Sequence, residues 1–267
     1  MVSSAAMTGF FIKKNFFDGW DNFISLALVN MVFMLLVFLF FTLIHVVAAV
    51  PIVPVVLFVF FLAVMGTLLQ AVSNLTARIA QYRSFSIKDI AQEVQESWRH
   101  GGLFALIQGL CWFAVSIAVP YYFSFKNLFG LFLGVCVLWI FFVVQFSFLW
   151  FFPLRSQLER NFGKCIKKCF ILFFDNTAFT IFMFIYSIIL IAVTPILAFL
   201  APGFSGLLLA WNNAFRLRMY KYDWCEQHPE IPIRIARKQI PWDELLTDDR
   251  DTVGNRTIRN LIFPWKD

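Results

Sequence analysis

Asp175 is the only charged residue between Cys169 and Phe215, and an ionisable group inside apolar sequence is a candidate for ion or proton handling. Its position offers a second role. Lys168 lies seven residues before it, about 10 Å along a helix, so Asp175 is expected near the basic edge of the apolar stretch. There, with Asn176 and Thr177, it can cap the helix that follows by accepting from free backbone N–H groups at the positive helix end. Gln70, Asn74, Gln108, Gln145, Asn212 and Asn213 are the other polar groups in apolar surroundings. In hydrocarbon each needs a partner, which gives two readings: hydrogen bonds between helices, or the lining of a polar solute cavity.

Metal and nucleophile chemistry are poorly served. His45, His100 and His228 are far apart in the sequence, with no Cys or carboxylate at zinc-ligand spacing. Cys165 and Cys169, four apart, can meet on one helix face, where packing or reversible acylation are the readings. The five cysteines are an odd number, and the three nearest basic sequence are expected in a reducing compartment, which argues against a disulfide framework. There is no Walker motif, Gly-rich phosphate loop or nucleophile elbow. The expectation is a chain without enzymatic activity or cofactor. Sequons at Asn74 and Asn255 fall in segments expected in the membrane or the cytoplasm, where they carry no meaning.

The elements that hold these residues follow from where charge is missing. The chain is 60% hydrophobic with 36 Phe. It has no Asp, Glu, Lys or Arg from Asn22 to Ala77, only Lys126 from Gly101 to Leu154, and only Asp175 in the third stretch. A bilayer crossing takes roughly 20 apolar residues, so each stretch holds two crossings and a turn. Helix breakers place the turns at Pro51 and Pro54, at Pro120 to Lys126, and at Pro195 to Gly203. The expected fold is all-α: six transmembrane helices in three hairpins, near 24–49, 55–75, 103–122, 128–151, 175–194 and 201–216. The first apolar run, Phe23 to Val50, is too long for the core of a cleaved signal peptide, which is about 7 to 15 residues.

Lys and Arg mark the cytoplasmic side. The N-terminal segment, the second and fourth loops and the tail carry 2, 4, 5 and 10 of them, and the opposite side carries Lys126 alone. Both ends are therefore expected in the cytoplasm of a bacterial inner membrane protein. A five-span alternative would export Arg216, Arg218 and Lys221. The net charge of +6 sits beside the membrane, so anionic lipid head groups, not nucleic acid, are the expected partner. Residues 1–220 form the expected membrane domain, and 221–267 a cytoplasmic tail. In that tail Ile258, Leu261, Ile262 and Trp265 recur at helical spacing. An apolar cluster there must be covered, by this chain, by lipid or by another protein.

Each hairpin is preceded by an aromatic, basic stretch: Lys13 to Trp20; Ser86 to Trp98, with a capping-box start; and Leu154, Leu158, Phe162, Ile166 and Cys169. These are expected to be interfacial helices that act as elbows or dock a cytoplasmic partner.

The run Phe152-Pro153-Leu154-Arg155 through Asn161-Phe162, then Cys169 to Asn176, Pro195-Ile196-Leu197 and Gly206 to Ala210, resembles the later half of the YesL-type bacterial membrane family. Trp20-Asp21 and Val50 to Pro54 match its early layout, so the likeness covers roughly residues 15–220. It rests on hydropathy and loose spacing, and the tail from Tyr222 extends beyond it. The resemblance implies a compact polytopic protein of unassigned function, associated with carbohydrate uptake systems. The resulting expectation is a scaffold or accessory subunit of a membrane complex with a protein partner on its cytoplasmic side; the alternative is a small-solute permease. Asp175, Asn176, Arg155, Arg216 and Trp265 are the candidate functional residues.

Overall fold

The computed structural model describes residues 4–50, 52–84, 87–231, 240–254 and 256, and the side chains of these except 4–6, 87 and 88. Among them all regular structure is helical: α1 (Ser4–Asp21), α2 (Phe23–Val46), α3 (Val53–Ala80), α4 (Ile87–Ser124), α5 (Leu128–Phe148), α6 (Phe151–Gln157), α7 (Phe162–Asp175), α8 (Thr177–Val193), α9 (Gly203–Gln227), α10 (Trp242–Leu245) and α11 (Thr247–Val253). Four helical stretches are long and apolar enough to cross a membrane: α2, α3, α4 from Asp89, and α5 together with α6. The pair α7 and α8, bent by 99°, makes a fifth if it is counted as one span. The chain divides into two compact units, Asn22–Asn212, and Met1–Asp21 with Asn213–Asp267.

In the larger unit the most extensive helix pairing is α3 with α4, across the basic loop, and α2 with α3 touch far less. Glycine explains the closeness. A Cβ on Gly66 would fall inside contact distance of the Gly101 carbonyl oxygen and Ala105 Cβ, and one on Gly101 would meet the Gly66 oxygen. With lipid on the outside there is little hydrophobic drive between helices, and small residues let backbones approach until dispersion holds them. Arg78 of α3 adds ion pairs to Asp89 and Glu93 of α4.

Three expected features change. The elbow expected at 86–98 is not separate: α4 runs unbroken for 38 residues, roughly 57 Å, because the Gly101–Gly102 pair is packed on α3 and does not open the helix. Ser86 and its capping box lie outside the described residues. The second turn is shorter than expected, since α4 continues through Pro120 to Ser124; a proline near a helix end forfeits one ladder bond without ending the helix. Asn127 then caps α5 by accepting from Gly130 N at 2.7 Å. The third elbow is broken, with Leu154 in α6 and Phe162 opening α7 behind an Asn161 cap that accepts from Lys164 N. The stripe drawn from Leu154 to Cys169 therefore lies on two helices.

Asn30, a residue the sequence reading passed over, fixes the third turn. Its Nδ2 donates to the Leu200 and Pro202 carbonyls, both at 2.9 Å, and its Oδ1 accepts from Ser205 N at 3.0 Å. The turn between α8 and α9 is thus level with a residue seven positions into α2, about 10 Å from its start, and not with the α2–α3 turn.

The glycine contact sets a test. Alanine has the better helix propensity by up to ~1 kcal/mol, so Gly102→Ala, whose Cβ would meet Ala63 O at an ordinary 3.4 Å, should leave the melting temperature in detergent unchanged or raised. Gly66→Ala must push α3 off α4 and should destabilise by about 2 kcal/mol, the scale of overpacking.

Candidate functional site

Two polar clusters stand out, one in each unit. The first grows from the second half of α3. A buried amide in a helix bundle has no water to turn to, so it must bond across helices. Asn212 of α9, fully buried, has its Nδ2 within 3.1 Å of Ser73 O, Ser73 Oγ, Thr76 Oγ1 and its own Leu208 O. Its Oδ1 accepts from Gln157 Nε2 at 2.8 Å. Ser156 of α6 lies 2.8 Å from Ser73 Oγ and from Asn74 Oδ1, and accepts from Gln70 Nε2 at 3.0 Å. Asn74 Nδ2 passes the chain on to Glu93 at 2.8 Å, and Glu93 meets Arg78. Three helix pairings, α3 with α4, α6 and α9, thus share one network.

The second cluster is ionic and lies in the smaller unit. Lys14 and Asp18, four apart on α1 and both buried, pair at 2.8 Å. Burial pushes the Lys14 ammonium below its ordinary pKa and the Asp18 carboxyl above its own, with each partner's charge opposing the shift. On α9, Arg216 donates to Asp249 of α11 at 2.9 Å and to the Tyr220 hydroxyl at 3.0 Å, and that hydroxyl donates to Asp249 at 3.1 Å. Burial raises the Tyr220 pKa, which keeps it a donor. Lys13 Nζ reaches the Gly254 carbonyl at 2.9 Å, Arg256 pairs with Asp21 at 2.9 Å, and Arg218 stacks over the buried Trp242. Apart from Lys14–Asp18 and Arg216–Tyr220, each within one helix, these links join α1 or α9 to the polar tail, so Met1–Asp21 and Asn213–Asp267 form one compact unit.

The candidate residues are scattered. Arg216 belongs to the ionic cluster. Asp175 closes α7 instead of opening α8, and Asn176 occupies the joint. Asn176 makes no side-chain cap to α8; its Nδ2 donates back to the Leu172 carbonyl at 3.1 Å, so it caps the end of α7. Thr177 does likewise to Phe173 O at 2.9 Å. The sequence pointed to this joint, and Asn176 and Thr177 serve the end of α7 there; a 99° bend between two apolar helices has no marker except these side chains. Arg155 of α6 approaches His100 Nδ1 of α4 at 3.2 Å. A guanidinium only donates, so in this contact Nδ1 is the acceptor and the ring proton is on Nε2. Trp265 and the rest of the terminal cluster lie outside the described residues. Cys165 and Cys169 are both fully buried, which withholds them from acylation. Among the described residues no three His, Cys, Asp or Glu gather into a metal-binding group.

Gln70, Asn74 and Asn212 are spent in the first network, and Asn213 donates to Asn15 at 3.3 Å. None of these four lines the large cavity of the Asn22–Asn212 unit, whose walls are chiefly Phe, Leu and Trp.

The ionic cluster should show the asymmetry of a buried pair. Lys14→Met strands a carboxylate and is expected to destabilise by about 3 to 5 kcal/mol, while Lys14→Met combined with Asp18→Leu recovers most of the loss; thermal unfolding in detergent with limited proteolysis of the tail reads both. Comparison of the chain with known protein families, with curated proteins and with solved structures finds no match.

Proposed function

We propose that this chain is a membrane scaffold or accessory subunit of the bacterial inner membrane, associated with solute uptake, with no catalytic activity of its own. The observation that carries the reading is the folding of both chain ends, Met1–Asp21 and Asn213–Asp267, into a single charged unit. A chain that only had to fill a bilayer would not need buried ion pairs at its termini. The likeness to the YesL-type family supports the link to uptake. The permease alternative loses support because Gln70, Asn74, Asn212 and Asn213 all donate to other side chains and the two acceptors left over, Gln70 Oε1 and Asn213 Oδ1, are buried.

The proposed topology has six membrane helices in three hairpins with both ends cytoplasmic. α8, 17 residues or about 25 Å long, and the first half of α9 form the third hairpin. The latter is sheltered: Leu208, Leu209, Ala210, Trp211 and Asn212 are all buried, so it needs no lipid-facing apolar surface. The stripe Ile12, Phe16 and Trp20 on α1 is exposed, as are Lys164 and Lys167 on α7. Exposed aromatic rings on one helix and exposed ammonium groups on the other each suit anionic head groups at the interface.

A reporter active only in the cytoplasm, fused after Asp267, should be active; activity of a periplasm-only reporter there instead overturns the topology. For the scaffold, affinity purification in mild detergent should recover a stoichiometric partner from an uptake system. Deletion of residues 256–267 should release it, and a partner that survives the deletion removes the tail from the contact.

A further inference from the structure

A large cavity in the Asn22–Asn212 unit has a volume of about 1060 Å³ and lies among α3, α4, α5, α6, α8 and α9. That is at the top of the range of ordinary ligand pockets, about 300–1,000 Å³. Among the described residues no charged residue or histidine lines it, so neither a phosphate nor a carboxylate head finds a counter-charge among them. The wall is aromatic, with Phe58, Phe113 and Phe142 exposed side chains in it and Trp112 edge-on to Phe141 at 4.8 Å. Besides Ser116, whose hydroxyl donates to the Phe113 carbonyl, a pair of amides interrupts it. Gln108 Nε2 donates to Gln145 Oε1 at 2.7 Å, and the return bond is 3.4 Å. A primary amide has two N–H donors and two lone pairs, so this pair spends half its capacity on itself and presents the rest to an apolar space.

We propose that this cavity is a binding site for an uncharged lipid with a long hydrocarbon chain and a compact oxygen-bearing ring, of the prenyl-quinone type. Three features select it. The apolar volume accepts the chain, the aromatic faces accept a flat ring by offset or edge contact, and the two glutamines supply a donor and an acceptor to ring oxygens. A bilayer acyl tail satisfies only the first. Since both ligands leave hydrocarbon for hydrocarbon, chain burial gives no preference, and the amides and rings make the discrimination. The site is independent of the scaffold reading, since it needs no partner protein.

The test uses the full chain in nanodiscs of phosphatidylcholine and phosphatidylglycerol, titrated with decylubiquinone while tryptophan fluorescence is followed; Trp112 and Trp211 are both in the wall. One saturable quenching site per chain is expected, largely lost in Trp112→Phe. Gln108→Leu with Gln145→Leu should keep the cavity but weaken binding about tenfold, the equivalent of the lost hydrogen bonds. Ser116→Phe, at an exposed position on the cavity wall, should abolish saturation with an unchanged melting temperature, and it keeps the test decisive if the double variant does not fold. Quenching that rises linearly with the quinone-to-lipid ratio, equal in all variants, means partition alone and overturns the site. Saturable binding that the double leucine variant retains at full strength overturns the ligand class, since hydrocarbon alone would then suffice.

Discussion

The larger unit depends on one demand, that an amide removed from water be given partners by protein. Asn212 meets it with four acceptors within 3.1 Å of Nδ2, which carries two hydrogens, and with one donor to Oδ1. The consequence spreads through the packing. A helix that carries Asn212 and, a turn later, Arg216 is too polar to face hydrocarbon, so the first half of α9 must be enclosed. Ser73 and Thr76 are then buried on α3, and Gln157 is committed on α6. Interhelical hydrogen bonds average only about 0.6 kcal/mol in measured membrane cases, so the network contributes less to holding the helices together than to fixing which faces meet. Cohesion comes from the close backbones at Gly66 and Gly101, where dispersion over many atoms exceeds what a few hydrogen bonds return.

The smaller unit faces the opposite problem. Its elements are short: α10 has four residues and α11 seven, too few to be stable by helix propensity alone. Tertiary contacts must hold them. Trp242 and Leu246 supply the apolar part, and the Arg216–Tyr220–Asp249 triangle supplies direction. The Lys14–Asp18 pair is the costly element, because two desolvated charges only roughly recover their hydration in each other. A hydrophobic pair would be at least as stable. What the ions add is specificity, since a charge accepts few alternative neighbours and an apolar stripe accepts many.

Much of this was legible in the sequence, and for identifiable reasons. Long uncharged stretches locate α2 to α5 because a bilayer imposes a minimum length on apolar runs, and Pro54 at the start of α3 marks a turn because proline is tolerated in a first turn. The polar residues named on α3 and α9 proved to be those that bond between side chains, as their isolation among apolar neighbours implied. Asn30 escaped because a lone asparagine inside an apolar run has no local signature; its partners are more than 160 residues away in sequence. The second and third elbows were misjudged because amphipathic spacing reports a face and not a boundary. The same spacing describes the first turns of α4, which continue into a span, and the α6–α7 pair, which breaks at Leu158 to Asn161.

The two kinds of interior in the larger unit meet on α3. Up to Leu69 its inward residues, Phe58, Phe61, Leu62, Met65 and Gly66, face the cavity; from Gln70 onward they enter the polar network. Exposure follows the same division, with Val55, Val56, Phe58 and Phe60 open and Ala71, Val72, Leu75, Ile79 and Ala80 buried. The glycine contact with α4 sits at the changeover. The basic half of α3 is tied to its neighbours through Asn212, Arg78 and the glycines, whereas the other half offers chiefly apolar side chains, among them Phe58, Phe61, Leu62 and Met65. The cavity lies along that second half, lined but not filled by aromatic side chains. Segregation of this kind keeps most polar groups within reach of another and keeps charge out of the cavity, so the polar half specifies the fold and the apolar half is left with volume.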